Sequence, residues 1–205
     1  MIPTMTTTNP DPADVSPRPG RAWLVAGYVG TAGFLVLEAV IRKSGTASSL
    51  KSSGDDENTS RVLISSSVLA AALPVLARWG PVRALPAAAA PAGLFLQLGG
   101  LALRLSAMRT LGGFYTRTLQ TVEAQPVVEA GPYRLVRHPG YAGAMLMWIG
   151  LGLASRNGTA AAAMTTVMAW AYRRRIVSEE KLLVRVLPEY ESYRKRTNRI
   201  IPYLW

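Results

Sequence analysis

Residues 22–41 read AWLVAGYVGTAGFLVLEAVI, an uninterrupted apolar run with Glu38 as its one charge. Wound as a helix at about 1.5 Å per residue, such a run is about as long as the roughly 30 Å hydrocarbon core of a bilayer is thick. Four further apolar runs follow at 62–77, 84–103, 141–155 and 159–172. The spacing predicts an all-α integral membrane protein with about five transmembrane helices. Asn157-Gly158 between the last two is a turn signal, so they read as a tight helical hairpin over 139–172. A charged, amphipathic cytoplasmic helix is expected to follow from Arg173 and to end near Pro188.

The balance of residues supports a membrane setting. Hydrophobic residues make up 49% of the 205 and charged ones only 17%, too apolar for an ordinary soluble domain. The net charge of +11 would suggest nucleic acid in a soluble chain. Here Lys and Arg flank apolar runs, which fits the positive-inside rule and anionic headgroups, and no nucleic-acid partner is expected. Counting Lys and Arg on alternate sides of five spans gives 18 against 5. That asymmetry puts the N-terminus outside and the C-terminus in the cytoplasm, and the Ala- and Arg-rich spans read as bacterial, so a bacterial inner membrane is expected. It also places segments 104–138 and 173–205 on one side. Cysteine is absent and histidine occurs once, which excludes disulfides, thiolate metal sites, a cysteine nucleophile and a multi-histidine metal site. No metal is expected.

Three regions follow from this pattern. Residues 1–21, rich in Pro and Thr, read as a disordered tail without the form of a secretory signal. Residues 22–103 read as a three-helix membrane anchor whose loop, 42–61, is polar and Ser-rich. Pro74 interrupts the second run, and small residues in the third, among them Gly93, Gly99 and Gly100, favour close helix packing. Residues 104–205 carry the longest polar interval, the hairpin and the charged tail. Tyr190, Tyr193, Tyr203 and Trp205 suit an aromatic interface belt.

The chemistry gathers in GPYRLVRHPGYAG and RRRIVSEEKLL. Arg175 and Glu179 are four apart and share a helical face, so the pair can hold complementary ligand groups. Pro139 suits a helix start after His138, and Gly140 and Gly143 would permit close approach of a ligand. Arg134, Arg137, Arg173 and Arg174 read more simply as arginines reaching headgroups.

The order GPYRLVRHPGYAG, apolar hairpin, RRRIVSEEKLL, PEYESYRKRT and RIIPYLW resembles the isoprenylcysteine carboxyl methyltransferase family of membrane enzymes. The resemblance covers roughly the second half of the chain and implies an S-adenosyl-L-methionine-dependent methyltransferase. It implies cofactor contacts from Gln120, Gln125, Val127, Val128, Tyr133, His138, Pro139, Tyr141 and Glu179. Arg175 is implied to hold the acceptor carboxylate, and Arg175 and Glu179 form the catalytic pair. The acceptor would be a lipophilic, isoprenylcysteine-like carboxylate, its tail entering from the membrane lipids through a groove between the hairpin and the third span. Three alternatives stay open: a phospholipid or lipid amine N-methyltransferase, a sterol-type membrane reductase, and a non-enzymatic lipid-binding protein.

Overall fold

In a computed structural model of the chain, residues 19–43, 58–79, 83–114 and 126–202 are described. They fold into six α-helices: α1 (Pro19–Lys43), α2 (Thr59–Leu76), α3 (Ala89–Leu111), α4 (Pro139–Ala154), α5 (Gly158–Val186) and α6 (Tyr190–Arg196). Short 3₁₀ turns lie at Ala77–Trp79, Gly112–Phe114 and Gly131–Arg134. Among the described residues only two isolated bridges have β geometry, so the expected all-helical class is the one observed.

Local chemistry accounts for the element ends. Pro139 opens α4 at a position whose N–H would have no helical partner, and its ring presets the helical φ. Asn157 caps α5, its side-chain oxygen accepting the Ala160 N–H at 3.1 Å. Ser155 and Arg156 make the turn between them, with Arg156 at φ 54°. The hairpin is therefore as tight as its sequence predicts. Its second arm, however, does not stop at Tyr172. α5 runs unbroken from Gly158 to Val186, so the last apolar run and the first part of the charged tail are one 29-residue helix. Nothing in 172–174 breaks a helix: there is no Gly, Pro or capping residue there. The third helix is also displaced from its expected place, since α3 begins only after Pro86 and carries Arg104 and Arg109 within its last two turns.

The tightest seam joins α3 to α4. A methyl group built on Gly93 would collide with the carbonyl oxygen of Gly150, and one on Gly150 with that of Gly93. Gly100 and Gly143 form a second reciprocal pair, each hypothetical Cβ lying 2.5 Å from the other's carbonyl oxygen. Both pairs are spaced by seven residues along antiparallel helices, two turns apart on one face. The contact closes the expected groove between the hairpin and the third span, because backbone meets backbone there. Gly143 serves this seam and is covered, whereas a Cβ on Gly99 would meet nothing within 4 Å.

From α3, the buried Gln97 side chain donates to the Gly27 carbonyl at 3.1 Å and the Thr31 hydroxyl at 3.1 Å, linking α3 to α1. α5 lies against α2 and α4, and Leu24, Ala70, Ala144, Leu151, Met164, Met168 and Tyr172 form the core between α1, α2, α4 and α5.

The helices alternate in direction, so the bundle has two chemically distinct ends. At one, Gly158 N–H donates to the Arg83 carbonyl at 2.7 Å and Leu85 N–H to the Arg156 carbonyl at 3.0 Å, tying the α2–α3 connection to the hairpin turn. The other end gathers the start of α2, the polar segment before α4 and the end of α5. The outer faces of the helices carry Val25, Val29, Ile64, Val68, Phe95, Leu98 and Trp170, all more than half exposed. Among the described residues one helix, Thr59–Leu76, is long and apolar enough to cross a membrane by length and composition, and Arg21–Val36 and Pro139–Ala154 are shorter apolar helices.

Candidate functional site

Arg175 and Glu179 lie on one face of α5, as their spacing requires, and a third residue joins them. Tyr141, in the first turn of α4, donates its hydroxyl to Glu179 Oε2 at 2.7 Å and accepts from Arg175 Nε at 3.4 Å. The tyrosine ring rests on Tyr172 with centroids 5.4 Å apart, and Trp148 donates its indole N–H to the Tyr172 hydroxyl at 3.3 Å. The hydroxyl is thus held on a packed aromatic stack. Arg175 is buried at 2% exposure and also donates through Nη1 to Thr59 Oγ1 at 2.8 Å and Ser60 Oγ at 3.0 Å. Its neighbours Arg173 and Arg174 are exposed, with Arg174 stacked over Trp170. Those two fit the simple surface reading.

Glu180, next on the helix, points into a different cluster. Its Oε1 accepts from Arg137 Nε at 2.8 Å and lies 3.3 Å from His138 Nε2, while Oε2 accepts from Arg199 Nε at 3.0 Å. Burial alone would raise the Glu180 pKa. The hydrogen bonds and charges of His138 and Arg137 outweigh it and lower the pKa to about 2. Arg137 donates from Nη1 to the carbonyls of Arg194, at 2.9 Å, and Thr197. This arginine is therefore a buried internal tie, not a headgroup contact, and it corrects the simpler expectation. Arg134, by contrast, is exposed.

The tail straps this cluster in place. Arg137 N–H donates to the Asn198 carbonyl at 2.8 Å and His138 N–H to the Arg199 carbonyl at 2.9 Å. Tyr193 donates its hydroxyl to the Tyr133 carbonyl at 2.7 Å, and Arg196 pairs with Glu129 at 2.9 Å. Burial raises the Tyr193 pKa to about 12, with Arg137 opposing and Glu129 adding to the rise. Tyr190 and Tyr193 are 4% and 2% exposed. They are anchors of α6 rather than members of an interface belt, because the helix folds back onto the 133–138 segment. The Tyr190 hydroxyl is buried without a hydrogen-bond partner among the described residues, and burial and the charges of Glu180 and Glu179 raise its pKa.

Of the expected site residues, Tyr141, Arg175 and Glu179 meet directly. His138 and Tyr141 rings stand 5.7 Å apart, but the histidine addresses Glu180. Pro139 is fully buried at the start of α4, and Tyr133 is buried beneath α6. Val127 and Val128 are half-buried in an irregular segment. Gln120 and Gln125 lie outside the described residues, as do Tyr203 and Trp205. Sequence reasoning missed Thr59, Ser60 and Arg199 as members of this end of the bundle; it placed Arg137 and Glu180 there but did not pair them. The doubled glutamate was the available signal, since successive helical residues face different directions.

Among the described residues no group of three or more His, Cys, Asp or Glu side chains could hold a metal ion. An unpartnered buried hydroxyl at Tyr190, beside the two glutamates, and a carboxylate at Glu179 fit the hydroxyls and ammonium of an amino-acid nucleoside.

Residues 93–185 match the model of the isoprenylcysteine carboxyl methyltransferase (ICMT) family. A probable protein-S-isoprenylcysteine O-methyltransferase of Oryza sativa subsp. indica is 29% identical over 115 residues, covering 55% of this chain and 60% of that protein. The nickel-cobalt-cadmium resistance protein NccN of Alcaligenes xylosoxydans xylosoxydans is 37% identical over 78 residues, covering 38% of this chain and 37% of that protein. The chain thus spans 37% to 60% of the length of these curated relatives. Its fold is that of the eukaryotic intramembrane Ras methyltransferase ICMT, with a TM-score of 0.67 at 20% identity, covering 93% of this chain and 70% of that one.

Proposed function

Taking as premise that the chain is ICMT-like through residues 93–185, we propose that it is a membrane-embedded methyltransferase. It would use S-adenosyl-L-methionine and methylate the carboxylate of a lipophilic, isoprenylcysteine-like acceptor. Residues 104–205 would form the catalytic region on about five membrane-crossing helices, with 22–103 as anchor and the polar end of the bundle facing the cytoplasm. The apolar outer faces of α1, α2 and α3 support the membrane placement, since a water-soluble surface rarely exposes so many large aliphatic side chains in series.

The observation that carries this reading is the Arg175–Tyr141–Glu179 chain, a buried cation and a carboxylate joined through one hydroxyl at the polar end. When bound, the cofactor would supply an electrophilic methyl group on a sulfonium. Glu179 and Tyr190 would bind its hydroxyls or ammonium, with Tyr133, His138, Pro139, Val127, Val128, Gln120 and Gln125 completing its seat. Tyr141 holds Glu179 in one orientation. Arg175 would bind the acceptor carboxylate and aim one oxygen along the line of transfer. That oxygen is already ionised near neutral pH, so no side chain has to remove a proton. The aromatic stack of Tyr141, Tyr172 and Trp148 excludes water beneath the reacting groups.

The test is transfer of a radiolabelled methyl group from S-adenosyl-L-methionine to N-acetyl-S-farnesylcysteine by the full chain in lipid nanodiscs. Transfer that is lost in Arg175→Ala and in Glu179→Ala is the expected result. Transfer undiminished in both variants would sink the residue assignment. Label arriving only on phosphatidylethanolamine supplied in parallel would replace the carboxylate acceptor with a lipid amine.

A further inference from the structure

The start of α2 lies outside the ICMT-matched segment and more than a hundred residues from Arg175 along the chain, yet it reaches the centre of the site. Thr59 Oγ1 and Ser60 Oγ converge on one nitrogen, Arg175 Nη1, at 2.8 and 3.0 Å. Thr59 is 3% exposed and Arg175 2%. On the other edge of the same guanidinium, Nε is engaged by the Tyr141 hydroxyl at 3.4 Å. Two hydroxyls from α2 and one from α4 therefore fix the plane of a flexible side chain. They do so with neutral oxygens, which orient a cation without cancelling its charge.

We propose that Thr59 and Ser60 are positioning residues for the methyl acceptor: they set the plane in which Arg175 presents its N–H groups to the acceptor's carboxylate. The inference rests on the reading of Arg175 as the acceptor-binding arginine. An unbraced arginine must lose most of its rotamer freedom each time it binds a carboxylate, and a braced one has lost it already. Acceptor affinity is then the quantity that the brace controls. The membrane anchor, on this view, contributes directly to substrate recognition.

The experiment uses the full chain in nanodiscs with N-acetyl-S-farnesylcysteine and S-adenosyl-L-methionine. KM for each substrate, kcat and thermal unfolding are measured for wild type, Thr59→Ser, Thr59→Val, Ser60→Ala and the Thr59→Val/Ser60→Ala double variant. Loss of hydrogen bonds to a charged partner predicts a rise in acceptor KM of about tenfold or more in the double variant. Donor KM stays at the wild-type value, and Thr59→Ser, which keeps the hydroxyl, behaves as wild type. An unchanged acceptor KM with a lower unfolding temperature would reduce the contact to a fold-stabilising one and overturn the proposal. So would a rise in both KM values together. Should the double variant not fold, Ser60→Ala carries the same expectation at smaller size, because its side chain is only half-buried. Wild-type protein that methylates no carboxylate acceptor overturns the underlying reading and the brace with it. Transfer by wild type and unchanged acceptor KM in the variants overturns the brace alone.

Discussion

Successive residues of an α-helix point about 100° apart, and Glu179 and Glu180 show what that separation can do. Glu179 joins Tyr141, whereas Glu180 is the shared anion of Arg137, His138 and Arg199. Removing the second carboxylate leaves the buried Arg137 guanidinium without its counterion. Glu180→Ala is expected to cost roughly 3–5 kcal/mol of stability, read from denaturant or thermal unfolding in detergent. The pH dependence has a defined sign. A carboxyl whose pKa falls from 4.5 when unfolded to about 2 when folded binds fewer protons in the native state. Its stabilisation is complete above the unfolded value and is lost as pH falls toward the folded one. The unfolding temperature of wild type should therefore drop through this acidic window more steeply than that of Glu180→Gln. Tyr190→Phe removes a buried hydroxyl that has no partner, so the ligand-free protein should lose no stability. The same change should weaken S-adenosyl-L-methionine binding measured by calorimetry if that hydroxyl contacts the cofactor. Sequence spacing was enough to put Arg175 and Glu179 on one face. It could not indicate the hydroxyls of Thr59 and Ser60, because their contact depends on how α2 lies against α5.

At the scale of elements, the α3–α4 seam dictates the shape of the bundle. Gly93 and Gly100 meet Gly150 and Gly143 backbone to backbone, and this distance cannot survive an added methyl group. Gly93→Ala and Gly100→Ala are each expected to destabilise by about 1–3 kcal/mol, whereas Gly99→Ala should be neutral or gain up to about 1 kcal/mol from helix propensity. Thermal unfolding of the three variants checks the contrast, and equal behaviour would remove the seam's special status. The sequence showed that small residues favoured packing in this helix. Choosing among three glycines required the partner helix, since only Gly93 and Gly100 share the face turned toward α4. Helix ends were legible where a Pro or an Asn marked them, as at Pro139 and Asn157. Position 172 carried no such mark, and a change from apolar to basic residues did not end the helix. Hydropathy reports the surroundings of a helix, whereas backbone hydrogen bonding decides its length.

For the whole molecule, both ends of the bundle are closed by chain-distant contacts of different kinds. The hairpin turn is tied to the 83–85 segment by backbone bonds, and the polar end is strapped by residues 197–199 and α6. Truncation after Leu187 would strip Glu180 of Arg199 and Tyr133 of Tyr193. It should lower the unfolding temperature and abolish methyl transfer, both measurable on the purified protein. Composition suggests a division near residue 103 into an anchor and a second half, and Thr59 and Ser60 reach Arg175 across that line. α5 links the two ends as one unbroken helix: it is capped at Asn157 and carries Arg175 seventeen residues beyond Gly158. That arm is about 26 Å long at 1.5 Å per residue. A rotation of a single degree about the turn would move the guanidinium by about 0.4 Å, close to the roughly 0.5 Å tolerance of a productive site. The proposed enzyme is thus built as a lever with its fulcrum at one end and its chemistry at the other. If α5 crosses the bilayer as proposed, membrane thickness, which sets the tilt of a spanning helix, becomes a mechanical input to the proposed turnover.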